Sequence, residues 1–254
     1  MAGKAACCLI AVAIFLPFGC TSSPGTSSLP AYAALDAPAA EQILAQRAAA
    51  VHTLTAQCQL TLTRPDGQSV RLDGVMVLAA PDRLRLRVWK FNQAVFDLTL
   101  RPDGLWTQVN TDAEAHGPVI PASISAGQLA RFLSWFQGGY FTSPGLTVTS
   151  SDDAIILRRR QPDGSAEICM VDRATATARQ FKVLDPTGRQ RFSLSMTDYR
   201  DISGFIWPLR LSATSSAAAD QGGGRIDVVF TDLEFNGDLA PGAFVPPADA
   251  QRRP

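Results

Sequence analysis

Histidine is scarce in this sequence: His52 and His116 are the two histidines among 254 residues, and neither has metal-ligand spacing to the other or to a cysteine. The sequence also lacks a GxSxG nucleophile elbow, a P-loop, a dinucleotide-binding glycine fingerprint and an HExxH helix. These absences argue against the enzyme and metal-site classes that such motifs define. We therefore expect the chain not to be an enzyme, with no catalytic residue, no metal and no cofactor. A hydrolase without a known motif, using His52 or His116, is the remaining enzymatic alternative.

An excess of charge of either sign is also missing. The chain has 23 Lys and Arg residues against 23 Asp and Glu residues. Nucleic acids are bound mainly through clustered positive charge. The sequence therefore predicts no nucleic-acid partner.

The N-terminal apolar run is too short for a permanent transmembrane helix. Lys4 is followed by an uncharged and mostly apolar stretch, residues 5–18. As a helix this stretch would span about 21 Å, against a hydrocarbon core of about 30 Å. A basic residue before a short apolar run is the layout of a secretory signal peptide. We predict that residues 1–19 are a signal peptide and are removed.

The residues around Cys20 bear on how the chain is held in the cell envelope. Gly19 and Cys20 end the apolar run, and Ser, Thr, Gly and Pro follow; this arrangement resembles the lipobox of bacterial lipoproteins, with Pro17 where that family prefers Leu. The resemblance implies cleavage before Cys20, diacylglycerol on its thiol and a fatty acid such as palmitate on its amine. Because Thr21 is not the Asp of the inner-membrane retention rule, it implies anchoring in the outer membrane, facing the periplasm. Ordinary signal cleavage nearby is the alternative.

The composition after Cys20 predicts a tether, one domain and a short tail. Residues 20–38 are rich in Ser, Pro and Ala, which is typical of a flexible tether. Residues 39–248 have the length of one domain with its own core, and residues 249–254 end a Pro-rich stretch that we expect to be disordered. Cys58 and Cys169 lie in the domain. They are either buried free thiols, which we favour, or a disulfide, which an oxidising envelope permits.

Hydrophobic periodicity predicts one early helix and then a long series of strands. Residues 38–51 place Leu44, Ala48 and Val51 at helical spacing, with Asp36 as an N-cap. From residue 54 the apolar residues fall on alternate positions, as in strands with one buried face. Strands are predicted at residues 54–63, 70–79, 83–89, 95–100, 154–160, 166–172, 178–184, 191–199, 209–213 and 225–235. Successive one-sided strands predict an antiparallel meander.

Tight turns and a second helix complete the predicted elements. Pro-Asp-Gly or Pro-Thr-Gly turns occur at residues 64–67, 101–104, 161–164 and 185–188. In such turns Pro presets one φ angle and Gly supplies the positive φ. Residues 121–139 are predicted to contain a helix because Leu129, Phe132, Leu133 and Phe136 recur at helical spacing.

The predicted strands carry more apolar surface than two helices can cover. A long twisted sheet curls, and its concave face needs a cover. We therefore predict a partly open groove on that face, roofed by Phe132 and Phe136, which would suit acyl chains because these need apolar area and little hydrogen bonding. The alternative is that the same side chains only fill a core. The predicted groove residues are Leu84, Leu86, Phe96, Leu98, Leu129, Phe132, Phe136, Phe192, Leu194 and Phe230.

Three stretches resemble the lipoprotein-localisation carriers and receptors LolA and LolB. They are residues 81–106 (PDRLRLRVWKFNQAVFDLTLRPDGLW), 198–213 (DYRDISGFIWPLRLSA) and 226–247 (IDVVFTDLEFNGDLAPGAFVPP). The resemblance covers about residues 39–248. It implies a mainly β (α+β) fold, in which a single antiparallel sheet of about eleven strands is curled into an incomplete half-barrel and covered by a few helices.

The same resemblance implies ligands and partners. The ligands would be acyl chains of a lipoprotein or phospholipid, delivered by a periplasmic carrier protein. Receptor members of the family place an exposed apolar residue on a hairpin loop that meets the membrane, and here Trp89 or Phe91 would make that membrane or partner contact. The carrier's Arg latch has no single counterpart among Arg83, Arg85 and Arg87.

Two functional hypotheses follow from the sequence. The first is a monomeric, lipid-anchored envelope protein that binds acyl chains in the groove, for lipoprotein localisation or lipid transfer to the outer membrane. The second is a structural or sensory lipoprotein that binds a partner protein in the envelope. The two differ in whether the apolar groove is filled by a lipid or only by the protein's own core.

Overall fold

The computed structural model describes residues 28–33, 35–109, 130, 133–136, 140–141, 145–215 and 224–253. Its elements are one helix, α1, thirteen strands and a short helical segment at residues 133–136. In chain order they are α1 (Ala37–Ala49), β1 (Thr53–Thr63), β2 (Ser69–Ala79), β3 (Arg83–Lys90), β4 (Gln93–Arg101), β5 (Gly104–Val109), β6 (Leu146–Ser150), β7 (Ala154–Arg160), β8 (Ala166–Asp172), β9 (Thr177–Leu184), β10 (Gln190–Ile202), β11 (Phe205–Ser215), β12 (Gly224–Phe235) and β13 (Gln251–Arg253). The signal-peptide prediction and Cys20 lie outside the described residues.

All described strands belong to one antiparallel sheet, which confirms the predicted fold class. The order across the sheet is β13-β5-β4-β3-β2-β1-β12-β11-β10-β9-β8-β7-β6. Strands that follow one another in sequence pair in the sheet, except β5 with β6 and β12 with β13. Two further pairs, β1 with β12 and β5 with β13, join distant parts of the chain. The expected half-barrel of about eleven strands needs correction: the described sheet has thirteen strands, is open, and is not strongly curled.

Three strands were missed by sequence periodicity, and each has a physical reason. Strand β5 is six residues long, and β6 has exposed residues along most of its length, so neither shows a clear alternation. Strand β13 is three residues long, and its Gln251 and Arg252 side chains are exposed. Its residues pair through the backbone with Leu105, Trp106 and Thr107 on β5.

The alternation of apolar residues aligns side chains across strands on one inner face. In one half of the sheet Leu84, Leu78 and Leu54 stand in register on β3, β2 and β1. In the other half Leu157, Cys169 and Phe181 stand in register on β7, β8 and β9. All six residues are buried in one hydrophobic cluster. Burying each Leu stabilises the fold by roughly 1.5–3 kcal/mol, so this face holds the core.

Three of the four predicted Pro-containing turns form as expected, whereas at residues 101–104 Gly104 has φ 146° and pairs with Arg101 across a two-residue hairpin. Gly67, Gly164 and Gly188 have φ near +84°, and each donates its N–H to the carbonyl three residues earlier. A positive φ of this kind costs Gly little and other residues more. These turns join β1 to β2, β7 to β8 and β9 to β10.

Helix α1 lies against the inner face and begins where the sequence predicts. Asp36 accepts a hydrogen bond from the backbone N–H of Ala39 at 2.9 Å, and a proline follows at the first turn. This N-cap satisfies a backbone donor that the helix itself leaves unpaired. Ala40 and Leu44 are buried in the main cluster.

The N-terminal approach to α1 is docked and not a free tether. Tyr32 donates its backbone N–H to the carbonyl of Ala174 at 2.7 Å. Leu35 is buried, and its carbonyl accepts from Arg173 at 2.7 Å. These two residues of the predicted tether, residues 20–38, therefore pack against the turn after β8.

The C-terminal segment, residues 237–253, lies across the outer face of the sheet beside β4. Asp97 on β4 is 5% exposed and accepts from Arg85 at 2.8 Å, with Arg87 at 3.1 Å. Arg85 also donates to the carbonyl of Ala243 in the C-terminal segment at 3.1 Å. Residues 251–253, within the tail predicted at 249–254, are extended and pair through the backbone with β5 as β13.

The two cysteines of the domain are free and buried, as favoured from the sequence. Burial, with the nearby Asp73 carboxylate as a smaller cause, raises the pKa of the Cys58 thiol to about 11. Burial raises the pKa of Cys169 well above its usual value. Both thiols are therefore neutral at physiological pH and serve as small apolar core residues.

Among the described residues, no helix has the length and apolar character needed to cross a membrane.

Candidate functional site

An apolar cavity of about 300 Å³ lies on the inner face of the sheet. Its walls come from the second half of α1, from the helical segment 133–136 and from strands β9, β10 and β11 with their connections. The aromatic residues that line it are Trp135, Phe136, Phe141, Phe181, Tyr199, Phe205 and Trp207. Aliphatic lining residues include Leu44, Val51 and Met196. The volume is at the lower end of the roughly 300–1,000 Å³ typical of ligand pockets.

Two aromatic clusters beside the cavity hold the helical segment in place. Trp135 stacks on Phe181 of β9 with ring centroids 4.6 Å apart. Its neighbour Phe136 contacts Trp207 of β11 at 5.5 Å, and Trp207 in turn meets Phe235 of β12 edge-on at 5.6 Å. Such pairs are worth about 0.5–1.5 kcal/mol each beyond their buried area. The segment therefore bridges β9 and β11 above the space between them.

Tyr140, just after the segment, connects it to strands β7 and β8. Tyr140 is fully buried and donates its hydroxyl to the carbonyl of Leu157 at 2.9 Å. Burial raises the pKa of this hydroxyl, with the charge of Glu167 as a smaller contribution, so it stays a donor. The Arg159 guanidinium lies 5.1 Å from the centre of the Tyr140 ring and forms an ion pair with Glu167.

Most polar groups at the cavity wall are engaged with the protein itself. Arg47, in the last turn of α1, donates to the carbonyls of Thr175 at 3.1 Å and Ala176 at 2.6 Å. Tyr199 donates its hydroxyl to the carbonyl of Ala178 at 2.6 Å, and burial raises the pKa of that hydroxyl. Among the described residues that line the cavity, Arg47 is therefore the one with an ionised side chain, and it is directed to backbone carbonyls.

Trp207 is the exception to this pairing. Trp207 is 5% exposed, and its indole Nε1–H has no hydrogen-bond acceptor within the described part of the chain. A buried donor without a partner is uncommon in folded proteins and is costly. This indole nitrogen is itself occluded, so the unused donor lies within the packing around the cavity and is not exposed to the cavity space.

The described lining of the cavity is mostly apolar. Within the described ranges, no three His, Cys, Asp or Glu side chains lie together as the ligands of a metal ion would. His52 is exposed outside the cavity, and His116 lies outside the described residues. A hydrocarbon chain needs apolar area and few directed bonds, which is what these walls supply.

A second cavity, of about 600 Å³, lies between the C-terminal segment and the ends of β2 to β5. Arg83, Arg101 and Asp103 line it together with Phe244 and Val245. Arg101 and Asp103 pair with each other. Its lining mixes charged side chains with a loop segment, so we place the candidate site in the inner-face cavity.

The predicted groove residues are divided between the cavity and the core. Phe136 lines the cavity. The described residues of the set that pack in the core, outside the cavity lining, are Leu84, Leu86, Phe96, Leu98, Phe192, Leu194 and Phe230. Leu129 and Phe132 lie outside the described residues. The structure therefore brings Phe136 to the site and gathers the other described members of the set in the same hydrophobic cluster.

The predicted contact residues Trp89 and Phe91 are placed very differently. Trp89 is half-buried on β3. Phe91 is 89% exposed at the tip of the β3–β4 hairpin, where it and Asn92 have φ of 49° and 63°. Two positive φ angles define the type I′ turn that fits a two-residue hairpin. The fold therefore presents one aromatic ring directly to the surroundings.

Sequence reasoning missed several cavity residues, among them Trp135, Phe181, Tyr199 and Trp207. Trp135 falls between the positions of the predicted helical stripe, so periodicity assigned it to the other face. Trp207 and Tyr199 lie next to a Pro and a positive-φ Asp, Pro208 and Asp198, that interrupt the strand alternation. The density of aromatic residues in 199–207 is the signal that could have found Tyr199 and Trp207.

No protein-family model and no curated protein matches this sequence. Solved structures do match, and they show the fold. A domain from Vibrio parahaemolyticus described as outer membrane lipoprotein-sorting has TM-score 0.54 and 13% identity, over 81% of this chain and 95% of that one. A DUF1329 family protein from Desulfovibrio piger has TM-score 0.57 and 11% identity, over 82% and 96%.

A LolA superfamily protein from Nitrosomonas europaea has TM-score 0.55 and 12% identity, over 81% of this chain and 97% of that one. The chain is thus structurally similar to the LolA superfamily and to lipoprotein-sorting domains. The resemblance predicted from the sequence is confirmed at the level of the fold.

Proposed function

We propose that this chain is a lipid-anchored envelope protein that binds an acyl chain of a lipoprotein or phospholipid in the inner-face cavity. The observation that carries the proposal is the cavity itself, bounded by α1, the segment 133–136 and β9 to β11 and lined mainly by aromatic and aliphatic side chains. The likeness to solved lipoprotein-sorting domains supports the same role.

The proposed place of action is the periplasmic side of the outer membrane. Cys20 would carry the lipid anchor, and the ligand would arrive from a periplasmic carrier or from the membrane. Intact mass spectrometry of membrane-extracted protein tests the anchor. A mature chain that starts at Cys20 and carries added acyl mass supports it, whereas an unmodified N-terminus elsewhere contradicts it.

Phe91 is proposed as the contact to the membrane surface. It is the most exposed large apolar residue of the described chain, and Lys90 places its ammonium 5.4 Å from the Phe91 ring centre. An aromatic ring with a cation beside it suits an interface of acyl chains and anionic headgroups. This residue would bring the cavity close to lipid during transfer.

Native mass spectrometry tests the binding proposal directly. The Cys20→Ser protein is secreted so that it folds in the envelope. It is analysed as purified and after incubation with vesicles of a phospholipid that has palmitoyl chains. We expect a bound mass of one lipid. A protein that stays free of lipid in both conditions would contradict the proposal and favour a partner-binding role.

A matched pair of variants localises the binding. Ala48 lines the cavity, whereas its neighbour Ala49 is exposed and does not. Ala48→Phe places a ring in the cavity, and we expect the apparent lipid affinity to fall by about tenfold, which corresponds to about 1.4 kcal/mol. Ala49→Phe has the same cost in helix propensity and should leave affinity unchanged. Equal losses in the two variants would place the lipid elsewhere.

A further inference from the structure

The second cavity is separate from the proposed acyl site and lies on the other face of the sheet. It shares no lining residue with the inner-face cavity. Arg83 precedes the buried Leu84 on β3, so its side chain lies on the outer face with that of Arg85. The Arg85 guanidinium donates to the carbonyl of Ala243, which also lines the second cavity. The cavity is therefore a pocket between the outer face and the C-terminal segment.

The lining of this cavity is positively charged. Its charged side chains are Arg83, Arg101 and Asp103, which sum to one positive charge. Arg101 forms an ion pair with Asp103, and its guanidinium lies 4.7 Å from the centre of the Trp106 ring. The Arg83 side chain is exposed and has no hydrogen-bond or ion-pair partner within the part of the chain that the structure describes. Arg83 is therefore the cation left for an anionic ligand.

The apolar part of the lining comes from the C-terminal segment. Leu239, Phe244 and Val245 are its large apolar side chains, and Val245 is 59% exposed. A ligand for this lining needs an anionic group for Arg83 and an apolar group for these side chains. It also needs polar groups beside the Arg101–Asp103 pair, because covering charged groups with hydrocarbon costs free energy.

The C-terminal end of a peptide combines these three features. Its carboxylate matches the guanidinium of arginine, which binds carboxylates through two parallel N–H···O bonds. An apolar last residue supplies the apolar group, and backbone N–H and C=O groups supply the polar ones. A fatty acid also has a carboxylate, but it would place only methylene groups beside Arg101 and Asp103. The lining therefore favours a peptide over a fatty acid.

The cavity also lies away from the hairpin tip proposed to contact the membrane. Arg83 begins β3 and Lys90 ends it, next to Phe91. Seven residue steps of about 3.3 Å separate the two ends by about 23 Å. A soluble peptide can therefore reach the cavity while the Phe91 tip is at a membrane.

We propose that the second cavity binds the C-terminal residue of a partner peptide, with its carboxylate on Arg83 and its apolar side chain against Phe244 and Val245. The occupant is a peptide that ends in an apolar residue and has a free C-terminal carboxylate. This site does not depend on acyl binding in the inner-face cavity, so the failure of one proposal leaves the other standing.

A pair of peptides with and without the terminal charge tests the site. A fluorescein-labelled hexapeptide that ends in Leu-Phe is compared with its C-terminal amide, by fluorescence anisotropy with the Cys20→Ser protein. We expect the acid to bind about fivefold to tenfold more tightly than the amide, between the values for an exposed ion pair and for a charge-assisted hydrogen bond. Equal affinities of the two peptides, or no binding of the acid, overturn the proposal.

Two matched variants locate the carboxylate. Arg83→Gln removes the cation and should bind the acid and the amide alike, with an unchanged thermal midpoint because Arg83 is exposed. Arg160→Gln is the control, since Arg160 is an exposed arginine at the end of β7, outside the cavity lining, and its replacement changes the net charge equally. It should retain the preference for the acid. A preference that persists in Arg83→Gln, or that is lost equally in Arg160→Gln, overturns the role of Arg83.

Two measurements on the unchanged Arg83 do not depend on a variant. Raising the salt concentration from about 0.01 M to about 1 M shortens the screening length from about 30 Å to about 3 Å, so the preference for the acid should fall while the affinity of the amide changes little. A preference that does not respond to salt overturns the ion pair. Sodium laurate should displace the labelled acid at a higher concentration than the unlabelled peptide does. Laurate that displaces it at a lower concentration overturns the peptide as the occupant.

Discussion

Phe91 illustrates, at the scale of one residue, a local conformation that folding does not favour. A large side chain at positive φ is uncommon, and here the ring is also almost fully exposed. Asn and Gly are the residues that suit this turn. The Phe91 ring has the Lys90 ammonium beside it and lies outside the core, so its replacement can test the proposed membrane contact without disturbing the core.

Replacing Phe91 separates that role from folding. Phe91→Asn suits the left-handed backbone, so we expect the thermal midpoint to stay the same or to rise. We also expect binding of the Cys20→Ser protein to vesicles of phosphatidylethanolamine and phosphatidylglycerol to weaken at least about fivefold, because one buried Phe is worth roughly 1.5–3 kcal/mol. Vesicle sedimentation measures this.

Val245 provides the comparison for Phe91. It is another exposed apolar residue, 59% exposed, in the C-terminal segment. Val245→Asn should leave vesicle binding unchanged. If both variants lose binding equally, or if Phe91→Asn binds as well as the parent, the hairpin tip is not the membrane contact.

At the scale of elements, Asn236 joins the helix to the sheet. Its side-chain carbonyl accepts from the backbone N–H groups of His52 at 2.7 Å and Thr53 at 3.2 Å. Its amide donates to the carbonyl of Ala50 at 2.9 Å. Asn236 itself has φ 55°, a conformation that Asn tolerates better than most residues. One side chain thus fixes the end of α1, the start of β1 and the end of β12.

Two substitutions distinguish the side-chain bonds of Asn236 from its backbone conformation. Asn236→Gly removes the bonds and keeps an easy positive φ, and we expect it to lower the free energy of unfolding by about 1–3 kcal/mol. Asn236→Ala removes the bonds and adds the strain of positive φ, a further cost of roughly 1–2 kcal/mol. Urea unfolding measures both. Variants as stable as the parent would show that packing alone holds this junction.

At the scale of the whole molecule, the C-terminal segment turns an exposed sheet face into a covered one. Asp97 and Thr99 on β4 are buried although they face away from the core, and Thr99 donates to Asp97 at 3.2 Å. Arg85 connects this pair to the carbonyl of Ala243. A buried carboxylate needs such partners because removing its partner leaves an uncompensated charge. The segment is therefore part of the domain.

Two truncations test the contribution of this segment. A chain ending at Ala250 loses β13 and keeps the contact of Ala243 with Arg85. A chain ending at Leu239 loses both. We expect its free energy of unfolding to be lower by about 3 kcal/mol or more than that of the chain ending at Ala250, because buried apolar and polar groups near Asp97 become exposed. Urea unfolding compares the two. Equal losses would show that the cover over β4 contributes little.

Local signals in the sequence were sufficient for most of the fold. The alternation in LTAQCQLTLT predicts β1, and the turn at residues 64–67 predicts its hairpin with β2. The cap at Asp36 predicts the start of α1 within two residues. These features depend on neighbours in the chain, so the residues involved carry the information themselves.

The site was less accessible because it is assembled from distant parts of the chain. Phe136 was predicted from helical spacing. Trp207 was not, because its place in the cavity depends on the segment 133–136 lying across β9 to β11. The unused indole donor follows from that packing. No spacing rule states which aromatic residues meet across a sheet, or which donors are left without a partner.

The sequence by itself determined the mainly β class, most strands, the turns and the first helix, because period, caps and turn residues act over a few neighbours. The tertiary structure decided the number of strands, the open sheet, the ordered C-terminal segment and the cavity. The physical reason is that β13 and the cavity walls depend on pairing and packing between residues more than a hundred positions apart or on separate elements. Such contacts are selected by the whole folded molecule.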